Sequence, residues 1–200
     1  MNRLARDTTL LLVVAALAVS ATLAWRHWTR PAVADAAKQL QSRQRLAVLP
    51  AGSYDNQPLA QPLPRPAAQR PNSRIVAAYR ATRAGKPAAI ILVTRAQGYA
   101  GPIVLSVAIA TDGRLIGSQV IEQQESPGLG ARLGDPQVNW LGQFADRQLG
   151  DHWALKRDQG DFDQLAGATV TSRAVISALQ DALEYFDEQR NVLLEGPLHE

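Results

Sequence analysis

The 200-residue chain has no cysteine. That excludes disulfides, thiolate zinc sites, iron–sulfur clusters and thioether-linked haem. It has only three histidines, His27, His152 and His199. They lie far apart, with no carboxylate at ligand spacing, so no metal site is expected. Ser106, Ser118, Ser126 and Ser177 have no neighbouring histidine, and no Gly-Lys-Ser/Thr follows a glycine-rich loop. Hydrolase and kinase chemistry therefore lack their machinery, and no catalytic acid or base is assigned. Asp158, Asp161 and Asp163 are clustered, but the closing glutamate of a calcium loop is missing. Basic clusters are lacking too. The net charge of +3 arises from Arg3, Arg6, Arg26 and Arg30 against Asp7, and the remainder is neutral. Nucleic acid is excluded as a partner.

The basic excess flanks one long uncharged run, Thr8 to Trp25. At helical rise it covers about 27 Å, close to the hydrocarbon thickness of a bilayer. Trp25 and Trp28 suit an interface. Ala32-Val33-Ala34 resembles a signal-peptidase site, but Arg26, His27 and Arg30 separate it from the apolar run. An uncleaved single-pass anchor is expected in residues 1–30. Two arginines on each flank leave its orientation open.

Residues 33–48 are rich in helix formers, and six prolines between Pro50 and Pro71 mark an irregular connector, giving a linker over 31–73. A folded domain is expected over 74–195. Ile75–Ala81, Ala88–Thr94, Ile103–Ala110 and Leu115–Glu122 read as strands. Asp112-Gly113 supplies a hairpin turn. Pro136–Phe144 reads as a short helix and Trp153–Arg157 as a last short strand. Val175, Leu179, Ala182 and Phe186 share one helical face, over about 172–190. The expected fold is α+β: an antiparallel β-sheet packed with helices, preceded by one transmembrane helix.

Two stretches carry the candidate chemistry. Asp163–Ser172, DQLAGATVTS, places small residues and three hydroxyls at the start of that helix. Unpaired amides and the positive helix end favour a phosphate near Thr169. The structural alternative is that Thr171 or Ser172 caps the helix. Glu125–Gly130, ESPGLG, is a loop whose exposed backbone can lie against a flat ring, or simply a strand exit.

The order of anchor, GYAGPIVLSVAIATDGRLIGSQV, ESPGLG and WALKRDQGDFDQLAGATVTSRAV resembles the FMN-binding domain of the G subunit of the Rnf (or Rsx) electron-transport complex. The C subunit of the sodium-pumping NADH:quinone reductase shares that domain. The resemblance spans about residues 74–185. Asp163, Gly167, Ala168 and Thr169 match the family motif D-x-x-(S/T)-G-A-(T/S). Ala166 replaces its usual hydroxyl residue, Ser126 replaces a threonine, and Gln123 or Gln124 stands where a histidine is common. The resemblance implies FMN bound covalently by a phosphoester to Thr169, installed by a flavin transferase. Gly167, Ala168, Thr171, Ser172 and Leu165 would complete the site, with Glu125, Ser126, Gly128 and Leu129 from the loop. It further implies a flavoprotein subunit in the bacterial inner membrane, its domain in the periplasm. There it would relay electrons with other membrane subunits in a complex that couples electron transfer to ion translocation. The remaining readings are an FMN carrier serving another membrane reductase and a flavin-free tethered adaptor.

Overall fold

The computed structural model describes residues 11–23, 25, 26, 28, 45–63 and 69–196. The chain divides into two units, residues 1–42 and 43–200. In the first, residues 11–23 are helical. The expected anchor extends beyond them, since residues 8–10 and 24 lie outside the described part, as does most of the expected juxtamembrane helix. Among the described residues, no helix is long and apolar enough to cross a membrane.

The second unit is built on four strands, β1 (Ser73–Arg83), β2 (Lys86–Gln97), β3 (Pro102–Ala110) and β4 (Leu115–Glu122). They form one antiparallel meander in chain order. Each strand matches an expected run, lengthened where tertiary pairing extends it. The main helix, α1 (Thr169–Glu188), lies on one face, and a short α2 (Arg190–Glu195) follows. Val175, Leu179, Ala182 and Phe186 are all buried there, with Ile90, Leu92, Leu105 and Val107 from the sheet.

The apolar runs of β2 and β3 do not alternate with polar residues, and the other face explains why. Ile91, Val93, Val104 and Ala108 point there, and Leu46, Val48, Leu49, Tyr54 and Leu59 cover them. The proline-rich connector is thus a second layer. It also pairs with the open edge of β1, through Leu63 N–H to Ala78 O at 2.8 Å and Asp55 N–H to Thr82 O at 2.9 Å. An exposed edge is a template for unwanted strand pairing, and this cover removes part of it.

Two buried polar groups tie the helices to β1. The Asp181 carboxylate on α1 accepts from Ser73 Oγ at 2.8 Å and from the Asn72 amide N–H at 3.1 Å. Arg80 donates to the carbonyls of Leu193 (2.6 Å) and Gly196 (2.8 Å), which finish α2. Burial lowers the pKa of this guanidinium from its ordinary value.

The segment between β4 and α1 departs from expectation in part. The helix expected at Pro136–Phe144 is a 3₁₀ turn at Trp140–Phe144. The strand expected at Trp153–Arg157 is absent; residues 156–158 are a 3₁₀ turn, and Leu155 makes only an isolated bridge to Phe162. Aromatic packing fixes this segment instead. Phe144 sits 5.1 Å from Trp140, 6.1 Å from Trp153 and 4.7 Å from Phe162, ring centre to ring centre. Phe144→Ala should therefore cost about 3–5 kcal/mol. Urea unfolding followed by tryptophan emission measures this, since Trp140 and Trp153 flank the void. A loss under about 1 kcal/mol would contradict the packing described.

Candidate functional site

Helix α1 begins at Thr169, so Thr169 is its first residue and Ala168 its N-cap. Alanine has no side chain that can cap. Among the described residues, nothing accepts from the backbone N–H groups of Thr169, Val170 or Thr171. They are the orphan donors of a helix start. Gly167, just before, has φ +74°, a left-handed conformation that suits glycine. A Cβ there would also meet the Leu129 side chain across the cleft.

The two other candidate caps are used differently. Ser172 Oγ accepts from Leu165 N–H and donates to Ala168 O, each at 2.8 Å. It staples the preceding turn to the helix. Thr171 Oγ1 donates to Glu125 Oε2 at 2.6 Å. Both residues are buried, and both hydroxyls are already bonded within the protein. The helix-cap alternative is thereby corrected: neither residue occupies the N-cap.

Glu125 is 7% exposed and turned inward. Besides Thr171, its Oε1 accepts from Ala100 N–H at 3.2 Å. One carboxylate thus joins the ESPGLG loop, the β2–β3 hairpin and α1. Gly98 and Gly130 leave it room; a Cβ at either position would collide with its carboxylate oxygens. This places Glu125 as a bracket behind the wall.

In front of the bracket is a cavity of about 370 Å³, lined by Tyr99, Glu125, Ser126, Leu129, Gly130 and the run Gly167–Thr171. The volume lies within the usual range for small-molecule sites. Its rim holds large apolar side chains left in solvent: Tyr99 (75% exposed), Leu129 (47%) and Val170 (52%). Three such groups around one cavity form a patch that a flat, partly apolar ligand would cover. Four other cavities on the domain have no such rim.

Of the residues expected from sequence, Thr169, Gly167, Ala168, Thr171, Glu125, Ser126 and Leu129 come together here. Leu165 is in the core, Ser172 is buried behind the turn, and Gly128 is exposed outside the lining. Ala166 is exposed and also off the lining, so the missing hydroxyl does not open a gap in this wall. Gly130, the last residue of the ESPGLG loop, is in the lining too, while Tyr99 and Val170 were not singled out by sequence. Tyr99 hides in a glycine-flanked turn, whose only signal is an aromatic residue at an exposed hairpin tip.

The start of the DQLAGATVTS stretch is held from the core. The carbonyl of Asp163 accepts from Trp140 Nε1 at 2.8 Å, and its N–H donates to Gln143 Oε1 at 2.8 Å. The neighbouring acidic residues are ion-paired: Asp163 with Lys156 (2.7 Å), Asp158 with Arg173 (2.8 Å) and Asp161 with Arg147 (3.8 Å).

A double-mutant cycle on Thr171→Val and Glu125→Gln checks the bracket. The expected coupling is about 1–2 kcal/mol, as for a buried hydrogen bond. Additive losses would show that the 2.6 Å contact carries no energy of its own.

The family model described as FMN-binding domain matches residues 98–184, which contain every lining residue of the cavity. The G subunit of the ion-translocating oxidoreductase complex of Pseudomonas aeruginosa (strain UCBPP-PA14) is 40% identical, over 94% of this chain and 91% of that relative. The same subunit of Vibrio atlanticus (strain LGP32) is 33% identical, over 95% of this chain and 94% of the relative. A crystal structure of Shewanella oneidensis NqrC aligns with TM-score 0.48 at 26% identity, covering 58% of this chain and 60% of that one. A sheet-and-helix domain with its cavity inside the matched segment, carried on a chain that aligns almost end to end with these relatives, belongs to the Rnf-type G-subunit family of ion-translocating oxidoreductase complexes.

Proposed function

We propose that this chain is a membrane-anchored electron-transfer subunit that holds FMN through a phosphoester on Thr169, with its domain on the periplasmic side of a bacterial inner membrane. The observation that carries the reading is the position of Thr169. Its hydroxyl sits on the first turn of α1, half-buried, at the lip of the cavity rimmed by the exposed side chains of Tyr99, Leu129 and Val170.

The residues present fit the group. The free amides of Thr169, Val170 and Thr171 suit a phosphate, whose remaining negative charge the helix start favours. Tyr99, Leu129 and Val170 would hold the ring and shed water from it. Forming the ester makes a bond between Thr169 Oγ and phosphorus. The phosphorus releases its former substituent, which leaves with the bonding electrons, and the hydroxyl proton is lost. No oxidant is required, which suits installation by a separate flavin transferase. Bound there, FMN supplies reversible acceptance of electrons. The protein contributes position, exclusion of water and retention. A covalent link keeps the cofactor from diffusing away, which suits a fixed relay beside other membrane subunits.

The anchor rests on the Thr8–Trp25 run and its tryptophan flank. The complex, and its coupling of electron flow to ion movement, rest on the relatives from Pseudomonas and Vibrio.

The chain expressed with its flavin transferase should give a fluorescent band on a denaturing gel. Thr169→Val should be dark and Thr169→Ser should stay bright. A dark wild-type band, or a bright valine variant, would overturn the assignment. For topology, a reporter active only in the periplasm, fused after Glu200, is expected to be active. A silent periplasmic fusion and an active cytoplasmic one would reverse the orientation.

A further inference from the structure

Thr169 has a second set of neighbours, outside the cavity that suits the ring. Its Oγ1 donates to Gln164 Oε1 at 3.2 Å, and Arg157 Nη1 donates to the same oxygen at 3.5 Å. Arg157 and Gln164 help line another cavity, of about 440 Å³, with Leu155, Lys156, Phe162 and Asp163. The Thr169–Gln164 bond therefore spans the wall between the two.

Arg157 differs from the cations around it. Lys156 pairs with Asp163, Arg173 with Asp158, and Arg147 with Asp151 and Asp161. Among the described residues, Arg157 has no carboxylate partner; its one polar contact is Gln164. Its base is firm all the same. Leu155 and Phe162 on either side are buried, and Lys156 N–H donates to Phe162 O at 2.7 Å. An exposed arginine with a fixed base, no counter-charge and one bond to the hydrogen-bond acceptor of a threonine hydroxyl is arranged for an anion on that hydroxyl.

We propose that Arg157, with Gln164 as its carrier, is the counter-ion of the phosphate on Thr169. The proposal rests on the reading of Thr169 given above. Esterification removes the proton that Gln164 accepts. The Gln164 amide can then present its N–H₂ group instead, and the Arg157 fork supplies further donors. One guanidinium charge matches the one charge left on a phosphodiester.

The test uses the full-length chain in detergent, expressed with a limiting amount of flavin transferase, as wild type, Arg157→Gln and Arg157→Lys. In Arg157→Gln the flavinylated fraction, read as in-gel fluorescence, should fall about twofold to fivefold, as for loss of an exposed charge contact. The phosphorus-31 resonance of the fraction that is modified should move. Arg157→Lys should keep most of the modification, since a point charge still meets a phosphate. The unmodified protein should unfold at the same temperature in all three, because Arg157 is exposed. A fluorescent wild type whose fraction and resonance are unchanged in Arg157→Gln would overturn the proposal and spare the Thr169 reading. So would equal behaviour of the lysine and glutamine variants. A dark wild type would overturn the Thr169 reading first.

Discussion

The carboxylate of Glu125 holds the site together. A buried carboxylate is costly unless its oxygens are bonded. Here both oxygens are engaged, one by the Thr171 hydroxyl and one by the Ala100 amide. The bonds come from two elements far apart in the chain. Satisfying one side chain therefore fixes the loop after β4, the tip of the β2–β3 hairpin and the first turn of α1 relative to each other. Those elements carry Leu129, Tyr99 and Thr169 on their outer sides. The cavity is the space left in front of the bracket, and its shape follows from interactions made behind it.

The rest of the domain supplies a stiff mount. The sheet is covered on both faces, by α1 on one and by the connector on the other. The Phe144 cluster steadies the long segment between β4 and α1. Its neighbours Trp140 and Gln143 grip the backbone of Asp163, six residues before the threonine. Asp163 thus positions the stretch through its main chain, while its side chain faces outward to Lys156.

Local signals made much of this legible in advance. Hairpin turns and β-branched runs located all four strands, and the spacing of Val175, Leu179, Ala182 and Phe186 located α1 and its inner face. The site was legible in its two stretches but not in its wiring. Nothing near Glu125 in the sequence says that it turns inward, because its partners are 25 and 46 residues away. Thr171 and Ser172 looked like caps because hydroxyls at helix starts commonly are. The fold uses Thr171 as a long-range tie and Ser172 as a local staple to the preceding turn. Trp153–Arg157 reads as a short strand in the sequence, but Trp153 packs into an aromatic cluster and Leu155 into the core beside it, and neither needs a ladder. Tyr99 carried no signal of its own, because a lone exposed aromatic becomes informative only when Leu129 and Val170 are seen beside it.

The side chains that rim the cavity stand apart from those that close the core. Tyr99, Leu129 and Val170 are solvent-facing, and the buried cluster beneath is complete without them. The fold therefore closes its core without an occupant in the cavity, unlike proteins that collapse around a prosthetic group. Folding and filling of the cavity are thus separate events, and whatever enters meets a finished surface with the first turn of α1 at its lip.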